Sequence, residues 1–162
     1  MKRSFTLRVA LAAAALGAAA LAASPASATV GAATLTGTET YSPGLSSSPA
    51  FQTFSLSASG AIATDTVQGT INCSWSGSSS IAETYAAGQG SLSGSCLTSA
   101  GTSSVSGTYT RTGVVVTIDG TWVGAGVAGV FNAFCQQTPT SVSVPPVPPA
   151  VKPFAIWCVV WW

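Results

Sequence analysis

The sequence contains no histidine, and only 6% of its 162 residues are charged. Because Ser-His-Asp and Cys-His arrangements need an imidazole, these routes to nucleophilic catalysis are excluded. There are five basic residues, and three of them, Lys2, Arg3 and Arg8, lie close to the N-terminus. The rest of the chain therefore lacks the positive charge that binding to nucleic acid requires.

An apolar run follows these basic residues. Residues 9–23 are rich in Ala and Leu, and Ala26-Ser27-Ala28 has the small-x-small form of a leader cleavage site. These features predict a secretory signal peptide at residues 1–28. A membrane anchor is the alternative, but the run is shorter than the roughly 20 residues that span a bilayer. Residues 29–162 would then form one secreted, extracellular domain with two basic and four acidic residues, a net charge of −2.

Four cysteines remain after the predicted cleavage: Cys73, Cys96, Cys135 and Cys158. An even number in an exported chain predicts two disulfides. Three connectivities are possible, and we favour Cys73–Cys96 with Cys135–Cys158, since each pair brackets a plausible hairpin and both have the same separation. A zinc site needs histidine or paired C-x-x-C spacing, and the sequence has neither, so we expect no metal and no cofactor.

The apolar residues alternate with polar ones at a period of two. Residues 67–75 show this best, and similar sets recur along a Ser- and Thr-rich chain without helical spacing. The pattern predicts an all-β protein, an antiparallel up-and-down meander of seven to eight strands. Closure into a small β-barrel would remove both sheet edges, and a β-sandwich is the alternative. Inward glycines would allow the curvature of a barrel, at positions 37, 69, 94, 107, 120 and 129.

The C-terminal part of the chain breaks this alternation. Residues 144–149 are rich in proline and predict a stiff connection outside the sheet. In residues 154–162 both faces are apolar, and Trp157 and Trp161 lie on the face opposite Cys158. They are the best candidates for exposed aromatic side chains, whereas Trp75 and Trp122 fall on predicted core faces.

Three charged residues share the parity of the apolar positions: Glu39, Glu83 and Arg111. Since a lone buried charge is costly, we expect both carboxylates to share the guanidinium inside the barrel or at its mouth. This interior polar cluster has two interpretations. It is an ion cluster that fixes strand register, or it is a site in the lumen for acid–base chemistry or a small polar ligand. Asp65 and Asp119 lie in polar contexts and should be solvated.

Several short segments resemble the small secreted β-proteins of actinobacteria. They are the Ala-rich leader, residues 37–44 (GTETYSPG), residues 73–77 (CSWSG), residues 106–111 (SGTYTR), and Phe134-Cys135 with the following Pro139-Thr140-Ser141. The resemblance implies an extracellular compartment and an all-β fold, and it transfers no catalytic or binding residue.

Three functions fit these observations. The first is a non-catalytic binding or structural module whose partner is a cell-wall glycan or a small ligand. The second is a membrane-inserting or pore-forming barrel, because residues 154–162 alternate into a terminal aromatic like the last strand of outer-membrane barrels. Membrane contact would then involve Trp157, Trp161 and Trp162. The third is an enzyme that uses Glu39, Glu83 and Arg111.

Overall fold

The computed structural model describes residues 30–125, 127–140 and 151–162, with side chains in the last range from residue 153. The predicted signal peptide and the Pro-rich connection lie outside the described residues. Eight strands make up the described fold: β1 Gly31–Leu45, β2 Thr53–Thr64, β3 Gln68–Ser79, β4 Ala87–Thr98, β5 Gly101–Thr112, β6 Val115–Gly124, β7 Gly129–Pro139 and β8 Val151–Trp161. No helix among the described residues is long and apolar enough to cross a membrane.

The eight strands form one closed antiparallel barrel. Each strand pairs with the next along the chain, and β8 closes the barrel by pairing with β1. The predicted up-and-down barrel is therefore confirmed, and the sandwich alternative is wrong. Closure pairs the outer strands that a sandwich would leave as free edges.

The alternation places one side chain of every two in the interior. Aromatic rings fill both halves of the barrel, with Trp75, Trp122 and Phe131 in one contiguous group. A second group contains Tyr41, Phe54, Tyr109 and Phe154. The first group also contacts Trp162, whose ring centre lies 5.7 Å from that of Trp122. Trp162 therefore packs against the core and does not belong to the outer face.

The two predicted disulfides are present, Cys73–Cys96 and Cys135–Cys158. The first joins directly opposed residues of β3 and β4, and the second joins directly opposed residues of β7 and β8. All four sulfur-bearing side chains are buried. Two disulfides are compatible with an extracellular protein.

One ring of interior positions contains only small residues. Across β1 to β5 the register places Gly37, Ala58, Cys73, Cys96 and Ser103 side by side. A Cβ atom at Gly37 would overlap the carbonyl oxygen of Ser57, so the close approach of β1 and β2 requires glycine there.

Gly69 differs from the other glycines predicted to face inward. It is exposed, and a Cβ atom there would meet no atom within 4 Å. Its φ of 140° is a conformation that residues with side chains rarely adopt, so glycine serves backbone conformation at the start of β3.

Candidate functional site

The interior polar cluster is built around the ion pair of Arg111 and Glu83. The Arg111 Nη2 atom lies 3.1 Å from Glu83 Oε2, and both side chains are inaccessible to solvent. The Tyr109 hydroxyl donates a hydrogen bond to Glu83 Oε1 at 2.7 Å. Arg111 also donates to the carbonyl oxygens of Tyr85, Thr84 and Ala87. A buried charge pair with this many additional partners meets the conditions under which such a pair is tolerated.

Glu83 reaches this pair from a connection between strands. It lies between β3 and β4, where an isolated bridge pairs it with Ala50. The carboxyl group lies against Gly88, at which a Cβ atom would overlap it. Ile81 has the same parity as Glu83, but it is exposed because this connection is not a regular strand.

Glu39 belongs to a separate part of the cluster. Its Oε2 atom accepts a hydrogen bond from Gln137 Nε2, which also donates to the Tyr41 hydroxyl at 2.9 Å. Burial raises the pKa of Glu39 from 4.5 to about 7, although hydrogen bonding to Gln137 and Tyr41 and the charge of Arg111 act in the opposite direction. Burial also raises the pKa of Tyr41, and the charge of Glu39 adds to this shift.

The expected sharing of Arg111 by two carboxylates is therefore wrong. Among the described residues its only ion pair is with Glu83, because the carbonyl groups of residues 84, 85 and 87 hold the guanidinium at the β3–β4 connection. The amide of Gln137, and not the guanidinium, lies beside Glu39.

Three further residues of the cluster were not assigned to it from the sequence: Tyr41, Tyr109 and Gln137. Both tyrosines lie at inward positions of the alternation and are buried. Counting by two from Cys135 also places Gln137 on the inner face of β7, so its parity was the available signal. What the pattern could not supply was the partner of each polar group, since that depends on contacts across the barrel.

The cluster has little access from outside. A cavity of about 110 Å³ at one end of the barrel contacts Arg111 and Gln137, and its other walls are mostly apolar. Neither Glu39 nor Glu83 lines it. The Arg111 Nε atom has no hydrogen-bond partner among the described residues, but it too is buried. Both carboxylates therefore lie buried and away from this cavity.

The outer surface has a different character. Hydroxyl side chains of β1 to β6 lie side by side in register, as in the row Thr40, Ser55, Ser76, Ser93, Ser106 and Thr121. A depression of about 610 Å³ crosses β1 to β5 above the ring of small interior residues. We call it the hydroxyl depression; its polar lining residues are Thr36, Thr38, Ser57, Ser59, Asn72, Ser74, Ser95 and Thr102.

A second depression adjoins the first and shares Thr36 and Gly37 with it. It has a volume of about 300 Å³ and is lined by Trp157, Gln136 and Thr138. We call it the tryptophan depression. The Trp157 side chain is 44% exposed although it is large and apolar. No charged residue lines either depression. The geometry thus combines an aromatic surface with uncharged hydrogen-bonding groups.

In the described part of the chain, no cluster of three potential metal ligands occurs. The four cysteines are committed to disulfides. Asp65 and Asp119 are both exposed.

This chain matches no protein-family model, and no curated protein or solved structure matches it. Its barrel fold is compatible with many unrelated functions, so function has to follow from the chemistry of the site.

Proposed function

We propose that this protein is an extracellular, non-catalytic binding module that attaches to a neutral polysaccharide through the tryptophan depression. The observation that carries the proposal is the exposed ring of Trp157 between Gln136 on β7 and Thr36 on β1. An aromatic face presents an apolar surface to a sugar ring, and the adjacent amide and hydroxyl groups can hydrogen-bond to sugar hydroxyls. The predicted leader and the two disulfides support the extracellular location.

The charge of the surface favours a neutral ligand. An anionic polymer or an anionic membrane binds through exposed Lys and Arg. Among the side chains that the structure describes, the basic one, Arg111, is buried in an ion pair, and no charged residue lines either depression. Hydroxyl and amide groups carry no charge, and they match a ligand whose own surface consists of hydroxyl groups.

The two other candidate functions fit the geometry less well. An enzyme would need its carboxylates in contact with substrate, and both Glu39 and Glu83 are buried away from the depressions. A membrane-spanning barrel would need apolar side chains on its outer face, whereas β2 to β5 present mainly Ser and Thr there.

Retention on insoluble cellulose, chitin, starch and mannan tests the proposal. We expect the protein to be depleted from solution by at least one of these polysaccharides. Trp157→Ala should weaken the retention by on the order of tenfold or more, since truncation of a central aromatic anchor costs about 2 kcal/mol. The matched control is Phe51→Ala, which removes an aromatic side chain that is 67% exposed but lies outside both depressions.

Two results would contradict the proposal. One is no retention on any of the four polysaccharides. The other is equal loss of retention in both aromatic variants, which would indicate non-specific adhesion. Vesicles of phosphatidylcholine with phosphatidylglycerol complete the design, because binding to vesicles alone would identify a membrane ligand instead.

A further inference from the structure

A second exposed tryptophan lies further along the same strand as Trp157. Trp161 is 46% exposed and follows Trp157 by four positions, so both side chains face outward from β8. At a rise of roughly 3.3 Å per residue, their Cα atoms lie about 13 Å apart. This distance exceeds the width of a single sugar ring.

Each of these tryptophans has a side-chain amide directly opposite on β7. Gln136 is opposite Trp157, and Asn132 is opposite Trp161. Directly opposed side chains of an antiparallel pair are close enough to contact one ligand group. Gln136 is exposed and Asn132 is half-buried, so both amide side chains can reach a ligand. The same Trp–amide pair thus occurs twice along β7 and β8.

The surface between the two pairs is apolar and continuous. Phe134 and Val159 face each other across β7 and β8 midway between the tryptophans. Phe134 is 39% exposed. On the far side of Asn132, the exposed carboxylate of Asp119 lies directly opposite on β6. A carboxylate at this position repels phosphate headgroups and anionic polymers, which again favours a neutral ligand.

We propose that the two Trp–amide pairs are two subsites for one linear neutral polysaccharide that lies along β8. This inference rests on the proposed function and adds the direction and minimum length of the bound chain. A polymer repeats its own chemistry at intervals, so it can present an equivalent sugar to each pair. When one pair has bound, the other binds the same chain at a high effective concentration, and the affinity rises without any new type of contact.

Chain-length dependence tests this inference. The probe is a disaccharide and a hexasaccharide of whichever polysaccharide retains the protein, for example cellobiose and cellohexaose for cellulose, measured by isothermal titration calorimetry. We expect the hexasaccharide to bind at least on the order of tenfold tighter than the disaccharide. Trp161→Ala should abolish most of this difference and leave disaccharide binding within about twofold, because the Trp157 subsite remains.

Two more variants distinguish the two-subsite arrangement from a folding defect and from a polysaccharide that runs across the strands. Asn132→Ala leaves the aromatic surface intact and should also reduce the chain-length effect. Ser57→Ala with Ser74→Ala alters the hydroxyl depression, and it should leave the chain-length effect unchanged. Thermal unfolding of each variant shows whether it is folded.

Three outcomes separate this inference from the proposed function. If the hexasaccharide binds no tighter than the disaccharide, or if Trp161→Ala leaves the difference intact, the two-subsite arrangement is wrong although retention through Trp157 stands. Loss of the difference only in the Ser57 and Ser74 variant would mean that the chain crosses the strands, which also overturns the inference. If no polysaccharide retains the protein, the proposed function itself fails.

Discussion

At the scale of single residues, the two buried carboxylates of the barrel interior have different partners. Glu83 contacts the guanidinium of Arg111 and the Tyr109 hydroxyl, and its side chain is inaccessible to solvent. The hydrogen-bond partners of Glu39 are neutral groups, the amide of Gln137 and the Tyr41 hydroxyl. Glu83 is therefore held in an ion pair, whereas burial among neutral groups raises the pKa of Glu39.

Protonation of Glu39 should make stability depend on pH. Its pKa is about 7 in the folded protein and 4.5 ordinarily, so the folded state binds the proton more tightly. Its contribution to stability is complete below about pH 4.5 and is lost as the pH rises to about 7. The total loss is roughly 3 kcal/mol, at 1.36 kcal/mol for each unit of pKa difference.

Urea unfolding of the wild type and Glu39→Gln at pH 4.5 and pH 8 measures this effect. The variant keeps an acceptor for Gln137 but cannot ionise. It should therefore resemble the wild type at pH 4.5 and be the more stable protein at pH 8, by up to the same amount. A stability difference that is equal at both pH values would show that Glu39 is not the titrating group.

At the scale of elements, each disulfide joins two neighbouring strands at directly opposed positions. Both bridges close loops of the same sequence separation, 23 residues. Chain entropy therefore assigns them equal stabilisation, roughly 3 to 3.5 kcal/mol each. Their surroundings differ, because the buried Trp75 indole donates a hydrogen bond to the Cys96 sulfur at 3.2 Å.

Removing the two bridges separately should reveal this difference. Replacing Cys73 and Cys96 with Ala costs the loop entropy and leaves the Trp75 N–H buried without its acceptor, which costs about 1 kcal/mol more. Replacing Cys135 and Cys158 with Ala serves as the matched control. Urea unfolding of both double variants measures the two losses, and a larger loss for the control pair would contradict this assignment.

At the scale of the whole molecule, closure depends on β8. This strand pairs with β7 on one side and with β1 on the other. It is also the strand that carries both exposed tryptophans. The element that completes the barrel is thus the same one that builds the proposed binding surface, so binding requires an intact fold.

A chain that ends before Val151 should fail to form the barrel. Its β1 and β7 would both become free edges, and a long unprotected edge promotes pairing between molecules. We expect loss of the cooperative unfolding transition and aggregation, measured by circular dichroism and light scattering. The control is the full-length chain with Cys135→Ala and Cys158→Ala, since the truncation also removes one disulfide. If the truncated chain stays monomeric with a cooperative transition, β8 is not needed for closure.

Local sequence patterns were sufficient for the strands and for the direction of most side chains. The period of two placed Trp75 and Trp122 inside, and the spacing of the cysteines favoured the pairing that the barrel contains. Where the chain left the regular strand, as at Ile81, parity no longer predicted burial. Parity also could not predict which polar groups pair, because Gln137 and Glu39 are 98 residues apart and contact each other only across the barrel.

The amino-acid sequence by itself determined the all-β class, the inward cysteines and the sparsely charged exterior, because each of these follows from composition and alternation along one strand. The tertiary structure decided the closure of the barrel, the different partners of Glu39 and Glu83, and the alignment of each exposed tryptophan with an amide on β7. These features depend on the register between strands. Register is fixed by packing over the whole barrel, and no single strand contains that information.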